Sequence, residues 1–203
     1  MKYKIKFVVI GIVFGIALCF GGGYAVVKYF QNKLENEALE ETKAEIKSGK
    51  TDENLPKFDI VPINDLSLLN VEFTNQKGKK VKLNAIKNKV IFINVWTTWC
   101  KPCVAEFPHF TKLTNEIKNE NIEFLFISDE KLTKINDFAD RTGFSLPFYN
   151  YNIKVVKNNR LFKSDVIPFA IIIDKNQNFA LKTDSAASWS DQSIVELLKT
   201  MAK

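Results

Sequence analysis

Six residues, Val90 to Val95 (VIFINV), lead through Trp96, Thr97, Thr98 and Trp99 into Cys100-Lys101-Pro102-Cys103. A run of β-branched and aromatic residues of this length suits a strand buried on both faces. After Cys100 the residues Val104, Ala105, Glu106 and Phe107 favour helix, so the cysteine pair falls where a strand gives way to a helix. The first turn of a helix carries unpaired backbone N–H groups and the positive end of the macrodipole. A thiolate is favoured there over a thiol, which predicts a lowered pKa for Cys100. Cys103, one turn on, lies deeper and can close a two-residue disulfide loop. Thiol–disulfide exchange needs both: a low-pKa attacking sulfur and a second thiol that resolves the mixed disulfide.

Other uses of the pair are weaker. A structural zinc ion needs four ligands, and the only further His or Cys residues are His109 and Cys19. A disulfide closing so short a loop removes little unfolded-chain entropy and so contributes little stability. Redox chemistry is the reading that remains.

Trp99-Cys100-Lys101-Pro102-Cys103, with Pro108 five residues after the second cysteine, resembles the active-site turn and kinked first helix of the thioredoxin superfamily. Two departures narrow the resemblance. Asn94 stands where thioredoxins carry a buried Asp, and Glu106 where they carry an apolar residue. Cys-x-x-Cys-x-x-Glu-Phe-Pro is the pattern of the ResA/TlpA-like branch, membrane-tethered or exported thiol–disulfide oxidoreductases, several of which keep apocytochrome c cysteines reduced. The likeness runs from about Phe58 to the C-terminus. It implies an α/β thioredoxin-like fold: a mixed central sheet with helices on both faces, an N-terminal β-hairpin, and one transmembrane helix ahead of the domain.

The N-terminal sequence agrees with such an anchor. Lys2, Lys4 and Lys6 precede Phe7 to Val27, 21 residues without a charge. That length spans a bilayer as a helix, and the lysines before it favour a cytoplasmic N-terminus. Lys28 and Lys33 weaken the charge contrast, so the extracytoplasmic (periplasmic) placement of the remainder rests partly on the resemblance. A cleaved signal peptide is the alternative, since Gly21-Gly22-Gly23 supplies small residues near a cleavage point. The apolar run continues past them to Val27, which favours the uncleaved anchor. Cys19 reads as an inert cysteine within that span. Three segments follow: the anchor over 1–30, a charged helical stalk and linker over 31–56, and a thioredoxin-like domain over 57–203.

The net charge is +6, and eight lysines against seven acids over 1–56 leave about +5 of it in the domain. Those bases are interspersed with acids and do not alternate with exposed aromatics, which argues against nucleic-acid binding. Composition is 46% hydrophobic, enough for one packed core.

Within the domain, Val71 to Thr74 and Val81 to Leu83 flank Asn75-Gln76-Lys77-Gly78 and predict the hairpin. Helices are expected from the cysteines to about Asn119 and over Lys131 to Arg141, the latter closed by Gly143. Strands are expected at Ile122 to Ile127, Leu146 to Tyr151, Val166 to Asp174 and Phe179 to Thr183. Val155 to Asp165 reads equally as a short helix or a loop. Ser190 is expected to cap a last helix from Asp191 to about Met201.

The resemblance also assigns roles. Pro168, 65 residues past Cys103, takes the place of a proline that follows a cis peptide beside the disulfide, where the neighbouring backbone at Ile167 pairs with substrate; an ordinary proline at a strand entrance is the alternative. Phe169 departs from the threonine usual there, which leaves the contacts just beyond the proline open. Trp99 reads either as a core aromatic or as the apolar wall of the substrate face; the resemblance favours the wall, with Pro102 completing that face. Glu106 lies at i+3 from Cys103 on the same helical face. A carboxyl buried beside a thiol is a candidate proton shuttle for the resolving step, with an ordinary solvated helix glutamate as the alternative. Trp96 reads as core and His109 as a surface helix residue. Asn94 reads as a hydrogen-bonded polar group of the core; if instead it takes the thioredoxin Asp position, Glu106 is the only nearby acid that titrates.

The function implied is extracytoplasmic reduction of disulfides in exported proteins, apocytochrome c among the candidates. No cofactor or metal is expected beyond the redox-active Cys100–Cys103 disulfide. The partners implied are protein disulfides and a membrane thiol-transfer reductant, with the chain itself monomeric. The alternatives are a redox-inert binding or assembly module on the same scaffold and a peroxiredoxin-like peroxidase. The latter fits poorly, because no proline precedes Thr97 in the way that chemistry requires.

Overall fold

The computed structural model describes residues 33, 56–118, 120–156 and 158–203. The expected span Phe7 to Val27 and the stalk, Lys33 apart, lie outside the described residues. Among the described residues no helix is long and apolar enough to cross a membrane.

Among the described residues eight strands form one mixed sheet: β1 (Asp59–Pro62), β2 (Glu72–Asn75), β3 (Lys80–Lys82), β4 (Val90–Val95), β5 (Ile122–Ser128), β6 (Phe148–Tyr151), β7 (Phe169–Ile173) and β8 (Phe179–Thr183). Their order is β1-β8-β7-β4-β5-β6-β2-β3. Strand β4 lies inside, parallel to β5 and antiparallel to β7, and all six of its residues are buried. The predicted hairpin is present as β2 and β3 and packs on β6. Its turn needs the left-handed backbone of Gly78, φ 78°.

The helices are α1 (Lys101–Glu116), α2 (Leu132–Thr142), α3 (Ile153–Val156) and α4 (Gln192–Ala202). They divide unequally between the two faces. The crossovers β4–α1–β5 and β5–α2–β6 join parallel strands stepping the same way across the sheet, and a right-handed crossover then puts both helices on one face. That face is aromatic. Phe92 meets Phe110 and Trp189 at 5.7 and 5.0 Å between centroids. Trp96 meets Phe107 at 5.0 Å and Phe138 at 5.2 Å. Helix α4 joins α1 there, against β4.

The opposite face, with Ile91, Ile93, Val95, Leu125, Ile171 and Ile173, is covered differently. Val156 of the one-turn helix α3, Leu161, Phe162, and the 3-10 turns carrying Leu69 and Leu83 close it. Both faces do carry helix, but one of them only a single turn. The ambiguous stretch Val155 to Asp165 is thus mostly irregular. Its Asn159 ties it down, donating to the Leu68 carbonyl at 2.7 Å.

Several boundaries move. Helix α1 ends at Glu116 with Ile117 as its cap, and β6 begins at Phe148 rather than Leu146. Gly143 closes α2 in the left-handed conformation, φ 74°. The last helix is capped by Asp191, whose side chain makes no capping bond. Ser190 is not the cap: its hydroxyl lies 3.1 Å from Nδ1 of His109. A residue whose side chain is held by another helix is not free to cap its own.

Candidate functional site

The site is built where β4 ends. Trp96 still belongs to the sheet, its N–H donating to the Ile127 carbonyl at 3.1 Å. The chain then turns through Thr97 to Trp99 into Cys100, the N-cap of α1. Cys100 and Cys103 form a disulfide with Cα atoms 5.3 Å apart. The Cys100 sulfur also accepts the Cys103 backbone N–H at 3.2 Å, filling the place a serine or aspartate oxygen takes at other helix starts. Cys103 is wholly buried and Cys100 nearly so, at 4% exposed. Cys100 is thus the outer sulfur of the pair. Beside it Trp99 is 68% exposed, an apolar ring turned to solvent. Lys101 and Pro102 are exposed too, so the rim of the pair is open.

The Ile167–Pro168 peptide is cis. The register of β4 with β7 pairs Val95 with Phe169, so Pro168 sits at the end of β4 from which the cysteine loop departs. Pro168 is buried, Ile167 half-buried and Val166 exposed. Sixty-five residues of chain separate sulfur from proline, and antiparallel pairing brings their strands together.

Two carboxylates belong to this region, one on α1 and one just after β5. Glu106 is 4% exposed. Its Oε1 accepts the Ala187 backbone N–H at 2.9 Å and the Trp189 indole N–H at 2.6 Å. Its Oε2 is buried with no hydrogen-bond partner among the described residues. Burial pushes the Glu106 carboxyl above its ordinary value, against the pull of those two donors. The solvated-glutamate alternative is therefore set aside by burial itself.

The second carboxylate, Glu130, follows β5 and was not legible as part of the site. Its Oε2 accepts the Thr98 backbone N–H at 2.6 Å, and its Oε1 accepts the Thr98 hydroxyl at 2.9 Å. Lys134 balances the charge at 2.5 Å from Oε1. Burial raises the Glu130 carboxyl, but the Lys134 ammonium and the Thr98 donors outweigh it and hold it below the usual range. Glu130 thus clamps the loop that delivers Trp99 and Cys100. The one signal for it in the sequence is an acid just past a buried strand, which is too common to single out.

Asn94 lies on the α1 side of β4, between Phe92 and Trp96 in the strand alternation. It is wholly buried, and neither of its side-chain polar atoms finds a partner among the described residues. It adds no charge beneath α1. Trp96 is core as expected, and His109 is exposed.

A disulfide bridging the N-cap and first turn of the helix that leaves a central strand, with a cis-proline at the same end of that sheet, defines a thioredoxin-like domain. The chain belongs to the AhpC/TSA family, which it matches over residues 63–186. It is 29% identical over 111 residues to the thiol-disulfide oxidoreductase ResA of Bacillus thuringiensis (strain Al Hakam), covering 53% of this chain and 61% of that protein. With the thiol-disulfide oxidoreductase ResA of Geobacillus kaustophilus (strain HTA426) it shares 32% identity over 104 residues, 51% of this chain and 59% of the other. The chain therefore spans about three fifths of the length of these relatives. Among solved structures, the thiol:disulfide interchange protein of the thioredoxin family from Chlorobium tepidum TLS superposes with a TM-score of 0.55 at 18% identity. That match covers 72% of this chain and 99% of the other, and it speaks to the fold alone.

Proposed function

We propose that this chain is a thiol–disulfide oxidoreductase that works outside the cytoplasm on the disulfides of other proteins. The observation that carries the reading is the Cys100–Cys103 disulfide at the start of α1, with Cys100 the outer sulfur. The names of its relatives, both thiol-disulfide oxidoreductases, support it.

In the reducing direction the chain begins as a dithiol. The Cys100 thiolate, stabilised by the N-terminal N–H groups of α1, attacks one sulfur of a substrate disulfide. A mixed disulfide forms, and the departing substrate thiolate takes a proton from solvent. The Glu106 carboxylate then accepts the Cys103 proton, and the Cys103 thiolate attacks the Cys100 sulfur. The Cys100–Cys103 bond forms, the mixed disulfide breaks, and the second substrate thiolate leaves. Two electrons pass from the dithiol to the substrate, and a membrane thiol-transfer protein restores them. Trp99, Pro102 and the backbone at Ile167, next to Pro168, form the face that receives an extended substrate segment. The N-terminal segment anchors the chain, and exported proteins, apocytochrome c among them, are the substrate class. No cofactor is needed beyond the disulfide itself, and the chain acts as a monomer.

Trapping tests this. With Cys103→Ala, mixed disulfides should accumulate through Cys100, and with Cys100→Ala none should form. A Cys103→Ala chain that traps no partner and leaves a model disulfide intact would point to a redox-inert binding module. Rapid consumption of peroxide by the dithiol, outpacing its exchange with disulfides, would point to a peroxidase.

A further inference from the structure

Glu106 is held from outside its own helix, by the strap of residues 184–191 that links β8 to α4. Ala187 and Trp189 donate to its Oε1 at 2.9 and 2.6 Å. One turn farther along α1, His109 meets Ser190 of the same strap at 3.1 Å. The strap is thus pinned to two successive turns of α1. Trp189 is 1% exposed. Its ring stands edge-on to Phe92 at 5.0 Å and stacks on Phe110 at 5.4 Å with 20° between the planes. The indole cannot swing away from Glu106 without opening the aromatic face of the core.

We infer that Trp189 is a positioning residue for the exchange reaction: its N–H pins Oε1 of Glu106 and leaves Oε2 as the one oxygen of that carboxyl that carries the proton. In the acid form Oε1 remains the carbonyl acceptor of both donors and Oε2 bears the hydrogen, so gaining or losing a proton moves no heavy atom. The carboxylate is the form that the indole N–H favours, because a hydrogen bond to a charged acceptor is the stronger one. Trp189 therefore helps set the pH at which Glu106 becomes a base. The inference rests on Glu106 serving the Cys103 step.

The titratable and charged groups on the elements packed there are Lys101, Cys103, His109, Lys112 and Glu116 on α1, Glu196 and Lys199 on α4, and Asp184 and Asp191 on the strap, with Lys182 paired to Asp184 at 3.8 Å. Beneath α1, β4 contributes only neutral Asn94. All of these persist in Trp189→Phe, which keeps an aromatic ring and removes the donor.

The experiment uses the reduced 203-residue chain in detergent, with 5,5′-dithiobis(2-nitrobenzoate) as the disulfide. The first thionitrobenzoate released reports attack by Cys100, and the second reports resolution by Cys103. In Trp189→Phe the pH midpoint of the second release should move up by about one unit, the size expected for one lost charge-assisted bond. The first release should keep its profile. If Glu106→Gln alters the second profile and Trp189→Phe does not, the inference falls and the shuttle reading stands. If Glu106→Gln alters nothing, the shuttle reading itself falls. Should Trp189→Phe fail to fold, the near-ultraviolet difference spectrum between the wild-type chain and Glu106→Gln answers the question. An indole band titrating with the midpoint of the second release supports the pinning, and a spectrum without such a band overturns it.

Discussion

Two carboxylates are buried in this domain at opposite ends of the sheet, Glu106 on α1 and Asp174 in the turn between β7 and β8. Asp174 has both oxygens occupied. Its Oδ1 accepts the N–H groups of Asn178 and Phe179 at 2.7 and 2.8 Å, and its Oδ2 accepts that of Asn176 at 3.0 Å. All three donors are backbone groups of its own turn. Glu106 has two donors, both on one oxygen and both from a segment about 80 residues away in sequence. Burial raises both carboxyls above their ordinary values. What differs is the free oxygen. A buried carboxylate with donors on both oxygens braces a turn, whereas one with an oxygen unclaimed has somewhere to put a proton.

Swapping charge for amide at each site separates the two. Glu106→Gln should slow the resolving step on the order of a hundredfold, the low end for loss of a general base, and leave the thermal midpoint little changed. Asp174→Asn should do the reverse. Exchange kinetics stay as they are, and stability falls by about 1–3 kcal/mol in denaturant titration, because one backbone donor loses its acceptor. If Asp174→Asn slowed resolution as much as Glu106→Gln, the distinction drawn here would collapse.

Glu130→Gln should have a smaller effect. The amide keeps a bond to Thr98 but loses the Lys134 pairing, so exchange slows several-fold at the Cys100 step, with a stability loss of about 1 kcal/mol. A defect confined to the Cys103 step would show that Glu130 does not act through the Thr98 loop.

The smallest effect is on stability against pH. Glu106 binds its proton more tightly folded than unfolded, so its contribution is full below its unfolded value, near 4.5, and is lost as pH rises through the raised folded value. Asp174 acts with the same sign from its own unfolded value near 3.8. Glu130 has the opposite sign: its contribution is present above its unfolded value and is lost as pH falls through its lowered one. Denaturant midpoints of the wild-type chain relative to Glu106→Gln should therefore decline across the window above about pH 4.5. A constant difference there would mean that burial does not perturb Glu106.

What was legible in the chain followed its local physics. Val90 to Val95 has the β-branched and aromatic composition of a buried strand, and Gly78 and Gly143 mark turns because each takes a left-handed backbone that side chains resist. The i, i+3 spacing alone sets Glu106 one turn from Cys103. The cap of α4 was misread for a non-local reason: Asp191 supplies the backbone carbonyl that Ile194 and Val195 bond to, while Ser190 answers to His109 on another helix. Glu130 and Trp189 were missed on the same ground. Each acts on a residue more than thirty positions away, and neither carries a local pattern that sets it apart.

By itself the sequence determined most of the elements, though not β1 or the one-turn α3, together with the cysteine pair at a strand-to-helix junction and the helical face that Glu106 shares with Cys103. Periodicity, turn chemistry and side-chain volume act over a few residues, and these features need nothing more. Only the tertiary structure decided that Pro168 meets the end of β4, that Glu130 clamps Thr98, and that Trp189 leaves Glu106 one free oxygen. Those contacts depend on which strands pair and which face each crossover takes, choices made by burial of the whole core rather than by any segment alone.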